Sequence, residues 1–375
     1  MAGAESKSFF KTERTVADIR GELLLSSFEA WAVAMLQHPL NTGIPILFLD
    51  FEAGQDGCPF NNTSPPAQIL RLLYKSTGTR TDLNRAVKTF FYDTDSAALS
   101  QLQEQVEQLP YFPELQHTPV FLGQETAEAD LRQMLDEEPA AFAFMNPFRS
   151  GFSLKGLCDL LQHGEAGLFV HFTPQDLQVA LKKAKTDETL GMLFGERLGQ
   201  LKDFQKKNRN IERREEYLLD SFESILAEKG YYTFRFRINR PDKMQTGRYL
   251  VFASKVEQAY TRLKDIMTQY SDYQEDGVPL FGANLQHQQM SLFQEHYKYS
   301  IANLVQDLSR RATDYNNRTV QQVHEMHSIG THYILENYKE AYEQLLRRGK
   351  VRFINPKTGQ VISKPTYTSK IRYSA

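Results

Sequence analysis

The run Ile44 to Phe51 is almost wholly apolar, interrupted only by Asp50 near its end. A strand without a polar face has to be covered on both sides, which is the situation of a central strand in a parallel sheet. The next residues have the order such a sheet needs. A loop with Gly54, Gln55, Asp56 and Gly57 leads to Ser64-Pro65, which opens a helix whose Ala67, Ile69, Leu70, Leu72 and Leu73 form a buried stripe. Serine before proline offers a capping acceptor and a preset φ.

The alternation continues along the chain. Strands are expected at Ala86 to Tyr92, Thr118 to Leu122, Ala141 to Met145 and Gly167 to Phe172, with helices around Leu99 to Leu109 and over 125–136. Asp93-Thr94-Asp95 closes the second strand and Asn146-Pro147-Phe148 the fourth. Apolar strands separated by helical stretches predict a doubly wound, mostly parallel α/β sheet with right-handed crossovers. Ahead of it, Val16, Ile19, Leu23, Leu24, Phe28, Trp31, Ala32 and Met35 recur at helical spacing, so a helix over 17–37 is expected beside the sheet.

Between 174 and 229 the pattern is helical and strongly charged, a helical insertion in which the run Arg197 to Tyr217, with Lys202, Lys206, Lys207, Arg209, Arg213 and Arg214, is expected to be solvated rather than a binding site. Tyr231 to Ile238 and Arg248 to Ala253 flank the turn residues 239–247 and read as an antiparallel edge hairpin, followed by a helix over 255–269. Residues 270–290, with Gly277, Pro279, Gly282 and several glutamines, have linker character. Helices are then expected over 299–311, 319–328 and 331–348, with Thr319 and Thr331 as caps. Val351 to Ile354 and Val361 to Ile362 bracket the turn Asn355-Pro356-Lys357-Thr358-Gly359. Helices followed by a basic β-wing form the pattern of a winged helix.

Composition removes several classes of function. Hydrophobic residues at 41% supply a core, and a net charge of -2 gives no global basic field. Cys58 and Cys158 are far apart and lack partners at metal-ligand spacing, which argues against a disulfide framework or a zinc site and for a reduced, cytoplasmic setting. His324, His327 and His332 have no added acid or cysteine, so no metal is expected. No signal-peptide core and no run of apolar residues long enough to span a membrane is present, so no membrane partner is expected. There is no serine-nucleophile elbow, zinc-binding His-Glu-x-x-His helix or Walker lysine.

In a doubly wound sheet a nucleotide-type ligand sits over the loop after the first strand, at the carboxyl ends of the strands. Asp50, Gly54, Gly57 and Asp93 are therefore the candidate ligand-binding residues. Asp93 either accepts from ribose hydroxyls or simply ends its strand. Asp50 either orients the loop and faces an amine or acts as a structural cap. Arg149 is placed for phosphate or for solvent. At the C-terminus, Arg348, Lys350, Arg352 and Lys357 stand in a stretch rich in cations, where a wing can lie along a phosphate backbone. A solvated tail or a protein-docking surface is the alternative.

Asp50, Glu52-Ala53-Gly54, Asp56, Thr63-Ser64-Pro65, Asn146-Pro147-Phe148-Arg149 and the extended pair Tyr231 to Ile238 and Tyr249 to Ala253 carry a resemblance to the three-Cys-motif partner family (TcmP). Glu52, Asp56 and Asn146 stand where that pattern has phenylalanine, glycine and aspartate. The resemblance implies an S-adenosylmethionine-dependent methyltransferase-like core, with S-adenosylmethionine as cofactor and a three-cysteine-motif, radical-SAM-like protein as partner. A sulfonium ligand is less opposed by Asp56 than a phosphate is. Asn-Pro-Phe is also similar to the end of the motif with which amino-methyltransferases hold an exocyclic amine. Asn146 and Phe148 are thus candidate catalytic residues, accepting from and stacking on a base, or else a strand-ending turn.

The expected organisation is an N-terminal helical segment 1–43, a methyltransferase-like domain 44–270 with the insertion 174–229, a linker 271–294 and a winged-helix-like module 295–375. Two functions are open: a methyltransferase-like protein acting on nucleic acid, or a non-catalytic degraded fold serving as a nucleic-acid-binding or protein-interaction scaffold.

Overall fold

The structure, a computed structural model, describes residues 15–37, 43–54, 64–123, 127–138, 140–162, 165–183, 188–239, 246–283 and 298–374. Two compact units divide the described residues, one ending at residue 266 and one beginning at residue 267.

The first unit opens with α1 (Val16–Leu36), capped by Thr15 and Asp18, each of whose side chains takes the other's amide. The order is then β1 (Ile46–Asp50), α2 (Pro65–Ser76), α3 (Leu83–Ala86), β2 (Val87–Tyr92), α4 (Ser96–Glu107), β3 (Val120–Leu122), α5 (Ala127–Glu137), β4 (Ala140–Met145), α6 (Gly151–Gln162) and β5 (Glu165–Phe172). Next come four helices, α7 (Pro174–Lys183), α8 (Glu188–Phe194), α9 (Arg197–Lys207) and α10 (Ile211–Glu228), then β6 (Tyr232–Asn239), β7 (Thr246–Ser254) and α11 (Glu257–Gln269).

The strands of this unit lie in the order β3-β2-β1-β4-β5-β7-β6. β1 to β5 are parallel, and β7 is antiparallel to both β5 and β6. Strand order reverses between β1 and β4, so the chain diverges on either side of that pair and leaves a crevice at their carboxyl ends. Asp50 stands there, in register with Phe91 on one side and Phe144 on the other.

Both faces of β1 are covered, as its apolar run requires. Phe28 of α1 meets Phe48 edge-on at 4.8 Å and Phe142 at 5.4 Å. Gly167 lets Trp31 lie on the sheet, because a Cβ there would come within 2.6 Å of the indole nitrogen. The other face packs Leu47 and Leu49 with Leu154, Leu157 and Leu161 of α6. In the run 197–217 Lys206, Lys207, Arg209 and Arg213 are exposed, as expected, but the helices of 174–229 are packed on the sheet domain rather than wholly solvated. Leu190, Leu201, Leu218, Phe222 and Leu226 are buried in the same core, so most of the cations occupy the outer faces of amphipathic helices, with Lys202 and Arg214 half-buried.

The second unit contains α12 (Ile301–Arg310), α13 (Ala312–Tyr315), α14 (Val320–His327), α15 (Leu335–Arg347) and an antiparallel sheet β8 (Val351–Ile354), β9 (Val361–Ile362) and β10 (Lys370–Tyr373), in the order β9-β8-β10. Its core is built on Leu304, Leu308, Val323, Tyr338, Tyr342, Leu345, Phe353 and Ile371. Val278 joins that core, and Leu280 N–H to Asp272 O (2.8 Å) and Gln274 N–H to Val278 O (2.9 Å) fold residues 271–283 back on themselves. This part of the expected linker is therefore structured, while 284–297 lies outside the described residues.

Thr319 caps α14 with Gln322 as its reciprocal partner. Thr331 does not cap α15. Its hydroxyl donates to Ser328 O, and the helix starts four residues later, where Asn337 Oδ1 takes the Ile334 amide at 2.9 Å. Ser64 occupies the cap position of α2, but its hydroxyl makes no capping bond there.

Candidate functional site

A cleft of about 620 Å³ opens over the carboxyl end of β1 within the first unit. Its walls are the first turns of α1 and α2, the turn after β1, one face of α4 and Arg248 of β7. That volume is in the range of small-molecule sites.

Asp50 lies on the cleft and is 2% exposed. Its Oδ1 accepts the Glu52 amide at 2.9 Å, while Oδ2 has no hydrogen-bond partner among the described residues. Burial pushes the Asp50 pKa up to about 8, with Glu52 and Asp93 adding to the rise and the Glu52 amide and Arg20 opposing it. A buried carboxyl with a free oxygen is costly unless a donor reaches it.

Glu52, in the turn, gathers a cluster that extends to β5 and β7. Its Oε2 is 2.7 Å from His171 Nε2 and its Oε1 is 3.3 Å from Arg149 Nη1. Arg248 contacts His171 Nδ1, and arginine has no acceptor, so the neutral ring carries its proton on Nε2. Burial drives the His171 pKa down to about 4, against the pull of Glu52. Burial opposes the Glu52 charge, and His171 and Arg149 outweigh it, so its pKa is lowered. The His171 ring stacks on Phe144 at 4.6 Å, and the Arg20 guanidinium lies over the Phe144 ring, 5.8 Å from its centroid.

Gly54 and Asp93 come together, but in a different way from two ligand-binding residues. The Gly54 amide donates to Asp93 Oδ2 at 2.8 Å, and Asp95 N–H donates to Oδ1 at 2.9 Å. With both oxygens committed and 1% exposure, Asp93 anchors the turn rather than presenting a carboxylate to ribose. Gly54 is required by packing: a Cβ would fall 2.9 Å from Ala98 Cβ. Gly57 and Asp56 lie outside the described residues.

Asn146 and Phe148 are also turned inward. Asn146 Nδ2 donates to Asp176 Oδ2 at 2.9 Å and its Oδ1 accepts the Phe148 amide at 3.2 Å, so the side chain holds the strand-ending turn against α7. Phe148 is buried edge-on against Phe172 at 5.1 Å and Phe222 at 6.0 Å. Neither residue lines the cleft. The geometry therefore favours the strand-ending turn over the base-holding role.

Sequence reasoning missed His171 and Arg248. A histidine inside the apolar run Gly167 to Phe172 is the signal that could have found the first, because a buried imidazole needs partners. Arg248 gave no local signal, and only strand pairing brings it to His171.

In the second unit, Arg348, Lys350, Arg352 and Lys357 are all exposed. Lys357 sits at the wing tip, where Asn355 Oδ1 accepts its amide and Gly359 takes a positive φ of 71°. Among the described residues no group of histidine, cysteine and carboxylate side chains has metal-binding geometry, and no helix is long and apolar enough to cross a membrane.

No curated protein matches the chain. Among solved structures, the DszA carbon methyltransferase is similar at 14% identity, over 66% of this chain and 56% of that one, with a TM-score of 0.36. The chain thus spans little more than half of that structure. The magnesium protoporphyrin IX methyltransferase ChlM of Synechocystis PCC 6803, with bound SAH, is similar at 13% identity over 68% and 94% of the two chains, with a TM-score of 0.32. The methyltransferase domain of bacterial CtHen1 is similar at 11% identity over 61% and 98%, with a TM-score of 0.30. Residues 282–358 match the family model of the GMT-like wHTH domain.

Proposed function

We propose that the first unit binds S-adenosylmethionine in the cleft over β1, and that the protein is an S-adenosylmethionine-dependent methyltransferase-like protein whose second unit engages nucleic acid. The observation that carries this reading is Asp50: a buried carboxyl at the strand switch point, with Oδ2 unpartnered among the described residues on the wall of a ligand-sized cleft. The ligand's ammonium is a donor of the kind that oxygen lacks, and Arg20 and Arg248 in the same cleft suit a carboxylate. S-adenosylmethionine supplies an electrophilic methyl group when bound.

In this reading Asp50 holds the ammonium and ionises as it does so. With its pKa near 8, it carries a proton at neutral pH that ligand binding must displace. Glu52 and the neutral His171 keep Arg248 oriented, and Arg149 balances the Glu52 charge. The Asp93–Gly54 bond fixes the turn that carries Glu52. Calorimetry in buffers of different ionisation enthalpy tests this: at pH 7, binding should release about one proton per ligand. No binding at millimolar ligand removes the reading.

A second reading is favoured by the inward-facing Asp93, Asn146 and Phe148. A fold whose expected ribose acceptor and base-holding residues are used internally suits a non-catalytic scaffold, engaging nucleic acid or a three-cysteine-motif protein. Ligand binding with no methyl transfer to any nucleic acid would select it.

A further inference from the structure

The wing concentrates charge in a way that its own stability does not explain. Antiparallel register places Arg352 of β8 directly opposite Arg372 of β10, both exposed, while their neighbours Val351, Phe353 and Ile371 point into the core. Like charges facing each other across a sheet are destabilising. Lys370 lies next to Arg372 on the same outward face, opposite Ile354, and Lys350 and Lys364 are exposed nearby in sequence. From Arg348 to Ala375 there is no aspartate or glutamate to offset them. Arg318 adds to the edge: its carbonyl takes the Ile371 amide at 2.8 Å, so its exposed side chain borders β10.

The helices before the wing have the opposite character. α14 contains no lysine or arginine and exposes Glu325. α15 carries Glu336, Glu340 and Glu343 outside its buried stripe, against Lys339 and Arg347, and Arg347 is paired with Glu343 at 3.6 Å. A helix that enters a groove must pass between two phosphate backbones, which these carboxylates oppose, whereas base reading depends on donors and acceptors at the helix surface.

We propose that the outer face of the wing sheet, centred on the facing pair Arg352 and Arg372 with Lys370 beside them, is a phosphate-backbone surface that holds duplex nucleic acid without inserting α15, and hence without reading sequence. This rests on the nucleic-acid part of the function above and specifies how the contact is made. The facing arginines gain in the complex what they lose in the free protein, since successive backbone phosphates, one at each guanidinium, replace repulsion with charge-assisted contacts.

The test uses the full chain and fluorescence anisotropy with labelled duplexes of about 20 base pairs, DNA and RNA, of unrelated sequence, across a salt series. The expected result is affinity that varies less than about threefold among sequences of one duplex type. For Arg352→Ala/Arg372→Ala, the log–log salt slope should fall by about 2, with at least a tenfold loss of affinity. Binding of either duplex type on these terms supports the proposal, and the two arms identify which backbone fits. The same double variant should melt no lower than the wild type, a readout that separates lost contacts from lost structure. Lys339→Ala, on α15, should leave the slope unchanged. An unchanged slope in the double variant, or a slope that changes with Lys339→Ala instead, overturns the proposal while leaving nucleic-acid binding in place. Absence of duplex binding, or binding only to phosphatidylserine vesicles, overturns both. Adenosylmethionine calorimetry reports on the cleft separately in every case.

Discussion

The Gly54 amide donates to Asp93 Oδ2 at 2.8 Å, so the turn that begins the cleft is tied to the tip of the neighbouring strand. Removing the acceptor takes away the partner that the part-buried Gly54 amide and the Asp95 amide share. Asp93→Ala should therefore destabilise the protein by about 1–3 kcal/mol in denaturant unfolding. A ribose-binding role alone predicts weaker ligand affinity with unchanged stability. Gly54→Ala should also destabilise, by about 1–3 kcal/mol, because its methyl group meets Ala98 at 2.9 Å.

Asp50 and His171 give the first unit opposed pH responses. Asp50 has its folded pKa raised from 3.8 to about 8. Its contribution to stability is fully present below the unfolded pKa and is lost as pH rises toward about 8. His171 has its folded pKa lowered from 6.5 to about 4, so the folded state resists its protonation and stability is lost as pH falls from 6.5 toward about 4. Between those limits the two largely cancel. Above 6.5 the Asp50 decline continues toward about 8, and Lys264, whose pKa burial lowers to about 7, opposes it from there upward. The difference between wild type and Asp50→Asn therefore isolates the Asp50 share. Asp50→Asn should remove that decline, of up to about 1.4 kcal/mol per pH unit. Urea unfolding of both proteins at pH 6.5 and 8 measures it, and parallel stability in the two would contradict the raised pKa of the buried carboxyl.

Phe148 is a core residue, packed against Phe172 and Phe222. Phe148→Ala should cost about 3–5 kcal/mol, whereas Phe148→Leu should cost less than about 2 kcal/mol and leave ligand and nucleic-acid affinity unaltered. A stacking platform would behave in reverse, with stability kept and substrate affinity lost. Melting curves alongside binding titrations separate the two.

These residues also mark what is legible in the sequence. The apolar run at β1, the alternation after it and the edge hairpin are readable because burial on both faces and strand–helix periodicity leave a local trace. Asp50 is readable as an acid where the strand should end. The direction in which Asp93, Asn146 and Phe148 point is not, since the same turn residues serve a ligand or a neighbouring amide, and only tertiary contact decides. The charge of 174–229 conceals its packing, because amphipathic helices carry their cations outside and Leu218, Phe222 and Leu226 inside. The third wing strand, Lys370–Tyr373, escapes a reading from sequence because four residues between polar neighbours have too short a period, and β8 supplies its partner.

Arg352 should be a site where stability and binding trade against each other. Replacing it by threonine removes the repulsion with Arg372 and inserts a residue suited to a strand, so the variant should be more stable by about 0.2–1 kcal/mol. Chemical denaturation at low salt shows the gain best, and it should shrink as salt screens the pair. A loss of stability would mean that Arg352 has a structural partner in the fold.

Asp50 is the proposed acceptor for the ligand's cationic end, and titration of S-adenosylmethionine into the wild type and Asp50→Ala at pH 7 tests that role most directly. Saturable binding to the wild type with release of about one proton is expected, together with at least a tenfold weaker affinity for the variant in a chain that still unfolds cooperatively. No heat of binding at millimolar ligand, or equal affinity in the two proteins, would contradict it.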